Sequence, residues 1–234
     1  MMIEHLTIRE RTYNALLEMI TNRELQVGQV IDEVSLARML NVSRTPLREA
    51  IRQLVIEGLV TARPYRGHAI RSLTTKELND LYSVRKELEV LAIRGAVPRM
   101  TDEDIAELEG LLDRGVQALR NGDLPAYANL DKAFHGRIAE LSDNGTIVET
   151  LNRLALQIQL CRVMANEDPA LAEHAAEERE AMVQAFRARD VDRAGELMRA
   201  HIAGVQKAAV ERMEAAEPAI GPSAPVVRLG KRGA

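Results

Sequence analysis

After Leu73 the chain is cut into helix-length segments by capping and breaking residues, and this punctuation constrains the fold more than any other feature. Thr74-Thr75-Lys76-Glu77 is a capping box, in which hydroxyl and carboxylate each satisfy a backbone group that the first helical turn leaves without a partner. Leu78, Leu81, Arg85, Leu88 and Ala92 then share a face. Thr101…Asp104 opens a second helix with Ile105, Leu108, Leu112 and Leu119 inward, and Asn121-Gly122-Asp123 stops it. A third runs to about Leu141, where Asp143-Asn144-Gly145 interrupts, and a fourth covers about 146–165. Asp168-Pro169 supplies a cap and a first-turn proline for a fifth, which ends near Arg189. A sixth spans about 191–213. Six helices joined by short turns predict an antiparallel six-helix bundle. The composition agrees: with 3% aromatics and no Trp, Leu, Ala, Ile, Val and Met must fill the core, which suits helices better than a sandwich or barrel.

Residues 1–73 read differently. Thr7-Ile8-Arg9-Glu10 is another capping box, followed by Tyr13, Leu16, Leu17 and Ile20 at helical spacing. A short helix from about Glu33 to Leu40 has Asp32 as its cap and Val34, Ala37 and Leu40 on one side. Asn41-Val42 makes a tight turn, and a helix starts near Ser43-Arg44-Thr45-Pro46 with Leu47, Ala50, Ile51 and Leu54 as its apolar stripe and Gly58 as its stop. Leu59–Arg63 and His68–Ser72 read as two short strands around Pro64-Tyr65-Arg66-Gly67. The predicted organisation is mainly α. It comprises an N-terminal winged helix-turn-helix over 1–73, an all-helical domain over 74–215 and a disordered tail over 216–234.

Charge supports the division. The net value is −4, yet residues 1–73 hold ten Arg, no Lys and eight acids, so the front is mildly positive and the rest acidic. A single cysteine, Cys161, excludes an intrachain disulfide framework and a Cys-based zinc finger. No run of about 18 apolar residues is present, and Met1-Met2-Ile3-Glu4-His5 does not start a signal peptide, so a cytoplasmic protein without a membrane partner is expected.

On the second helix of the motif, Arg44, Thr45, Arg48 and Arg52 lie opposite the apolar stripe. Arginine pairs bidentately with guanine O6 and N7 in the major groove and also clamps phosphate. Ser43 and Thr45 sit at a helix N-terminus, where free N–H groups favour an anion. Arg66-Gly67 at the hairpin tip is placed to reach the minor groove. A solvated amphipathic helix would carry surface arginines too; the hairpin that follows and the lysine-free composition favour DNA.

The run from Leu36 to Ile51 (LARMLNVSRTPLREAI), followed by Leu54 and Glu57-Gly58-Leu59-Val60, resembles the signature of GntR-type bacterial regulators. The resemblance implies a winged helix-turn-helix that binds a short near-palindromic operator as a homodimer, with Arg38, Arg44, Arg48 and Gly67 at DNA-contacting positions. Val34 stands where some members carry a further Arg, so the operator sequence is expected to differ.

In the back half, Asp131 and His135 are one helical turn apart within the stripe Asp131, Phe134, His135, Ile138. Such a pair can ligate one divalent metal or form a buried Asp–His hydrogen bond. His201 lies on the inward stripe Ala194, Leu197, Met198, His201, Val205. Folding the chain back at Asp190 brings His201 level with Arg179, on the stripe Arg179, Met182, Phe186, and leaves His174 about 7 Å further along. Residues 75–213 are similar to the FCD ligand-binding domain of the FadR subfamily, in its VanR-like six-helix branch. That resemblance rests on Arg85 and Glu89, Asp131-x-x-Phe134-His135, Asn144, Asp190 and His201-Ile202. It implies repression relieved by a small carboxylate metabolite. In many members it also implies a zinc-like divalent metal held by one Asp and three His.

The third His is missing here, since the family's Glu-His pair falls on Glu178-Arg179 and a guanidinium cannot ligate a metal. The site then has three readings, the plainest being an Asp131–Arg179 ion pair with no ligand. The second is metal-free, with Arg179 taking the effector carboxylate and Arg85 as a weaker candidate for that role. The third is a weakened metal on Asp131, His135 and His201. The second is preferred. A different class of function, a helical metal-dependent hydrolase using those three residues, leaves residues 1–73 unexplained and has no nucleophile constellation or phosphate-binding loop behind it.

Overall fold

The computed structural model describes residues 6–63, 65, 67–165 and 169–216, with 161–165, 169–173 and 216 described by backbone alone. Two compact units result, one through Leu73 and one over Thr74–Ala215.

The first unit contains α1 (Ile8–Thr21), α2 (Glu33–Met39), α3 (Arg44–Ile56), β1 (Val60–Arg63) and β2 (Gly67–Ile70). The strands pair antiparallel, with Val60 opposite Ile70 and Arg63 opposite Gly67. Thr7 and Glu10 form the predicted capping box at α1, and Asp32 caps α2 through the N–H groups of Val34 and Ser35. Between α2 and α3, Asn41 takes a left-handed φ of 51°. There the Asn41 N–H donates to Arg38 O at 3.2 Å and the Val42 N–H to Ala37 O at 3.0 Å. These two bonds close α2 and turn the chain sharply into α3, with Asn in a role more often taken by Gly. Gly58 does the same after α3, at φ 77°.

Leu16, Leu36, Leu47, Ala50, Ile51, Leu54, Leu59 and Ile70 form the core of this unit. Two faces differ from the sequence expectation. In α1, Thr12 and Met19 are buried, whereas Tyr13 and Leu17 are half-buried. Thr12 can go inside because its hydroxyl donates to Ile8 O at 2.7 Å, and Tyr13 stays near the surface because its hydroxyl donates to Glu57 Oε2 at 2.6 Å. In α2, Leu36 is buried and Val34 is exposed.

The second unit is α4 (Thr75–Ala96), α5 (Asp102–Arg120), α6 (Leu124–Leu141), α7 (Gly145–Ala165), α8 (Pro169–Arg187) and α9 (Val191–Ala216). Capping boxes form at Thr74 and Thr101, and Asp123 caps α6. The expected Asp168 cap and the tail after Ala216 lie outside the described residues. Helix α5 packs on α6 and α8, and α4 on α6 and α7. The buried face of α5 is Ile105, Leu108, Leu111, Gly115 and Ala118, with Leu112 and Leu119 only half-buried. In α4, Leu88 is half-buried and Glu89 takes the inward position. Among the described residues no helix is long and apolar enough to cross a membrane.

Close approach of α4 to the end of α6 depends on Gly95. A Cβ there would lie 2.9 Å from the carbonyl oxygen of Ser142 and 3.3 Å from its Cα, both backbone atoms with little freedom to move. Gly95→Ala is expected to destabilise the helical unit by about 1–3 kcal/mol through overpacking, despite the better helix propensity of alanine. Urea unfolding of the two proteins measures this, and an unchanged midpoint would contradict it.

Candidate functional site

Helix α3 presents two faces because its apolar residues recur at helical spacing. Leu47, Ala50, Ile51 and Leu54 are buried, and Arg44, Thr45, Arg48 and Arg52 are exposed on the other side. Ser43 is the N-cap of α3, but its side chain makes no capping bond, so the hydroxyl is available at the positive end of the helix. Arg38, on α2, and Gly67, at the start of β2, are also exposed. Arg44 and Arg52 form no ion pair among the described residues. Arg48 differs: its Nε donates to Glu33 Oε2 at 2.7 Å, and the other oxygen of Glu33 lies 3.4 Å from His68 Nδ1. Glu33 therefore holds Arg48 of α3 and lies beside the wing strand. Arg66 lies outside the described residues. Tyr65, its neighbour, is fully exposed at the hairpin tip with a left-handed φ of 60°. Nothing in the spacing of apolar residues signalled Tyr65, since a turn residue has no periodic partner.

The second site is inside the helical unit. Eight polar or charged side chains are buried in the described residues; Arg85, Glu89, Asp131, His135, Arg179 and His201 are among them, and these six are linked. Arg85 Nε donates to Glu89 Oε1 at 2.6 Å along α4. The other oxygen of Glu89 bonds His135 Nδ1 on α6. Burial pushes the Glu89 carboxyl up, but the Arg85 guanidinium and His135 outweigh it and bring its pKa down to about 2. An ionised carboxylate only accepts hydrogen bonds, so His135 Nδ1 carries the proton. His201 on α9 is held in the same way: its Nδ1 donates to Glu178 Oε2 on α8 at 2.7 Å. That bond keeps the Glu178 carboxyl below its usual range, while burial lowers His201 to about 4 and leaves it neutral at pH 7. The two imidazoles stack 5.5 Å apart.

Arg179 is among the most deeply buried side chains of the protein. Its Nη1 donates to Asp131 Oδ1, its Nη2 to the Tyr127 hydroxyl at 2.7 Å, and its guanidinium lies 5.5 Å from the centre of the Tyr127 ring. A cavity of about 70 Å³ opens beside this network, lined by Arg85, Glu89, Asp131 and His135 together with α7 residues such as Asn152 and Gln159. That is room for a few waters or a small anion. Arg85 Nη1 and His135 Nε2 are buried without a hydrogen-bond partner. The structure thus brings together the polar residues singled out on three stripes, makes Glu89 and Glu178 the partners of His135 and His201, and adds Tyr127 as a partner of Arg179. His174 is exposed, paired with Glu177 and Glu178 on its own helix.

The donor set of Asp131, His135 and His201 offers three ligand atoms within 4.8 Å of one another. Its histidines are braced by carboxylates in the manner of metal ligands. The fit fails at Asp131, because the oxygen that lies 3.8 Å from His135 Nε2 is the one that accepts the Arg179 hydrogen bond. A guanidinium keeps its charge, and a dication about 4 Å from a cation is repelled by roughly 8 kcal/mol at an effective dielectric of about 20.

Two family models match this chain: bacterial regulatory proteins of the gntR family over residues 8–70, and the FCD domain over residues 80–204. The chain is 37% identical over 146 residues to the Nta operon transcriptional regulator of Aminobacter aminovorans, covering 62% of this chain and 68% of that protein. It is 27% identical over 197 residues to the probable D-xylose utilization operon transcriptional repressor of Paenarthrobacter nicotinovorans, covering 84% and 86%. Among solved structures, E. coli McbR/YncC shares the fold, with a TM-score of 0.77 at 22% identity over 89% of this chain and 99% of that one. These relatives are regulators, and the hydrolase alternative is set aside. With the FCD model spanning more than half of its length and the gntR model covering the winged helix-turn-helix, the chain belongs to the FCD-carrying GntR family of bacterial transcriptional regulators.

Proposed function

We propose that this regulator is a repressor that holds a near-palindromic operator as a homodimer and releases it when a small organic acid enters the helical unit. Repression is supported by the name of the Paenarthrobacter relative. Dimerisation is supported by the size of the DNA-reading unit, since one winged head covers a single half-site and two-fold symmetry doubles the contact. Arg38, Ser43, Arg44, Thr45, Arg48, Arg52, Gly67 and Arg66 are its proposed DNA contacts. Matching two half-sites at once makes affinity sensitive to head spacing, which gives an effector its leverage.

The observation that carries the effector reading is the buried, unpartnered Nη1 of Arg85, a residue that lines the cavity. A buried guanidinium arm lacking a partner is costly, and a carboxylate would supply two charge-assisted acceptors. The sequence ranks Arg179 first as the anion anchor. The geometry favours Arg85, because both terminal nitrogens of Arg179 are engaged by Asp131 and Tyr127 and Arg179 does not line the cavity.

A panel of carboxylic acids screened by thermal shift, with and without chelator, tests the reading. An acid that raises the melting temperature should also release the operator. Arg85→Lys keeps a cation for Glu89 but loses the second arm of the fork. It is expected to bind operator normally while needing at least about tenfold more acid for release. A panel in which no acid shifts the melt or releases DNA would sink the proposal.

A further inference from the structure

We infer that the Arg179 guanidinium is the resident cation of the buried site, standing in for a divalent metal among Asp131, His135 and His201. The inference does not depend on what the effector is. Three observations carry it. First, the two histidines are set up as donors: Glu89 and Glu178 fix the proton on each Nδ1, which turns a neutral ring's Nε2 lone pair to the far side. His135 Nε2 is buried with no partner, as a vacant ligand atom would be.

Second, the carboxylate that completes the set is already neutralised. Asp131 is bound by Arg179, which is itself only 2% exposed and clamped from its other terminal nitrogen by Tyr127. Third, both guanidiniums of the buried network already have a carboxylate partner. Arg85 is paired with Glu89, and Arg179 with Asp131. A dication beside Asp131 would place like charges together in the interior, next to the Arg179 guanidinium.

Arginine at this position therefore does a structural task of a metal, holding Asp131 against α8, but does not require a supply of ion or respond to a chelator. The residue is also the switch between the two designs. Removing its charge while supplying a third imidazole, and so a fourth ligand, should expose Asp131, His135 and His201 to a metal whose bracing carboxylates are already present.

The test uses the full chain. Wild type and Arg179→His are incubated with excess zinc chloride, desalted, analysed for metal, and melted with and without added zinc. Wild type is expected to hold no stoichiometric zinc, to melt at the same temperature in both conditions, and to bind operator equally with chelator present. Arg179→His is expected to retain close to one zinc per chain and to melt higher with zinc, because a ligand that binds only the folded state stabilises it. Adding His201→Ala to that variant should abolish the uptake, which separates this site from adventitious surface binding. Close to one zinc per wild-type chain, lost on Asp131→Asn, overturns the inference. So does a folded Arg179→His protein that takes up none. If that variant does not fold in either condition, the wild-type metal content decides alone.

Discussion

Operator affinity should fall by about 2–6 kcal/mol, roughly 30-fold to more than 10,000-fold, when Arg44 is replaced by alanine. Each bidentate Arg–guanine contact is worth about 1–3 kcal/mol, and a two-fold complex loses two of them. Arg44 is the residue to test first because it is exposed at the first turn of α3 and forms no ion pair among the described residues. Its guanidinium therefore reaches DNA without giving up a protein partner. Arg48 should cost less on truncation. It is held by Glu33, and DNA must displace that carboxylate before Arg48 contributes. Fluorescence anisotropy titrations at one fixed salt concentration compare the two variants on operator and on scrambled duplex. A base-reading Arg44 loses discrimination between the duplexes, whereas a phosphate contact weakens both alike. Wild-type affinity and discrimination in Arg44→Ala would remove α3 from the reading head.

The fold was legible wherever the signal was local. Thr7, Thr74 and Thr101 close their capping boxes because donor and acceptor are three residues apart, and no distant contact is needed to bring them together. Gly58 and Asn41 end their helices for the same reason. Burial phase was less legible. On α5 the inward residues after Leu108 are Leu111, Gly115 and Ala118, not Leu112 and Leu119. Two leucines in succession satisfy a helical period equally well, and Tyr127 on α6, which packs against Gly115, decides between them. Likewise Val34 and Leu36 compete on a helix of two turns, and the neighbours of α2 choose Leu36.

At the buried site, Asp131, His135, Arg179 and His201 stood out because a polar side chain on an apolar stripe needs a partner. Folding the chain at Asp190 correctly set α9 against α8 at that level: His201 bonds Glu178, next to Arg179. The partners themselves were harder to read. Glu178 sits in a run of charged residues and looks solvated, and Tyr127 looks like an ordinary core aromatic. Which of two arginines keeps a free arm depends on distances across helices, and no spacing along one helix encodes that.

Replacing Arg179 with methionine should destabilise the helical unit by about 3–5 kcal/mol, the cost of stranding one half of a buried ion pair. The loss is electrostatic more than steric, since methionine fills much of the same volume and adapts to irregular space. Asp131 is the charge left behind, only 5% exposed. His201 does not rescue it, because burial holds that imidazole neutral, at about 4. Asp131→Leu alone should cost a similar amount by stranding Arg179. Combining the two should recover most of it, since neither charge then remains, so the double variant is expected to be far more stable than the sum of the single losses predicts. Urea unfolding of the four proteins, followed by far-ultraviolet circular dichroism at pH 7, measures the coupling. Additive losses would mean that the two side chains do not depend on one another, and the guanidinium would lose its standing as the cation that holds Asp131. A coupling of several kcal/mol would show that the arginine which excludes a metal from this site also sustains the packing around it. That would explain how a regulator can replace a histidine ligand with arginine and keep the bundle intact.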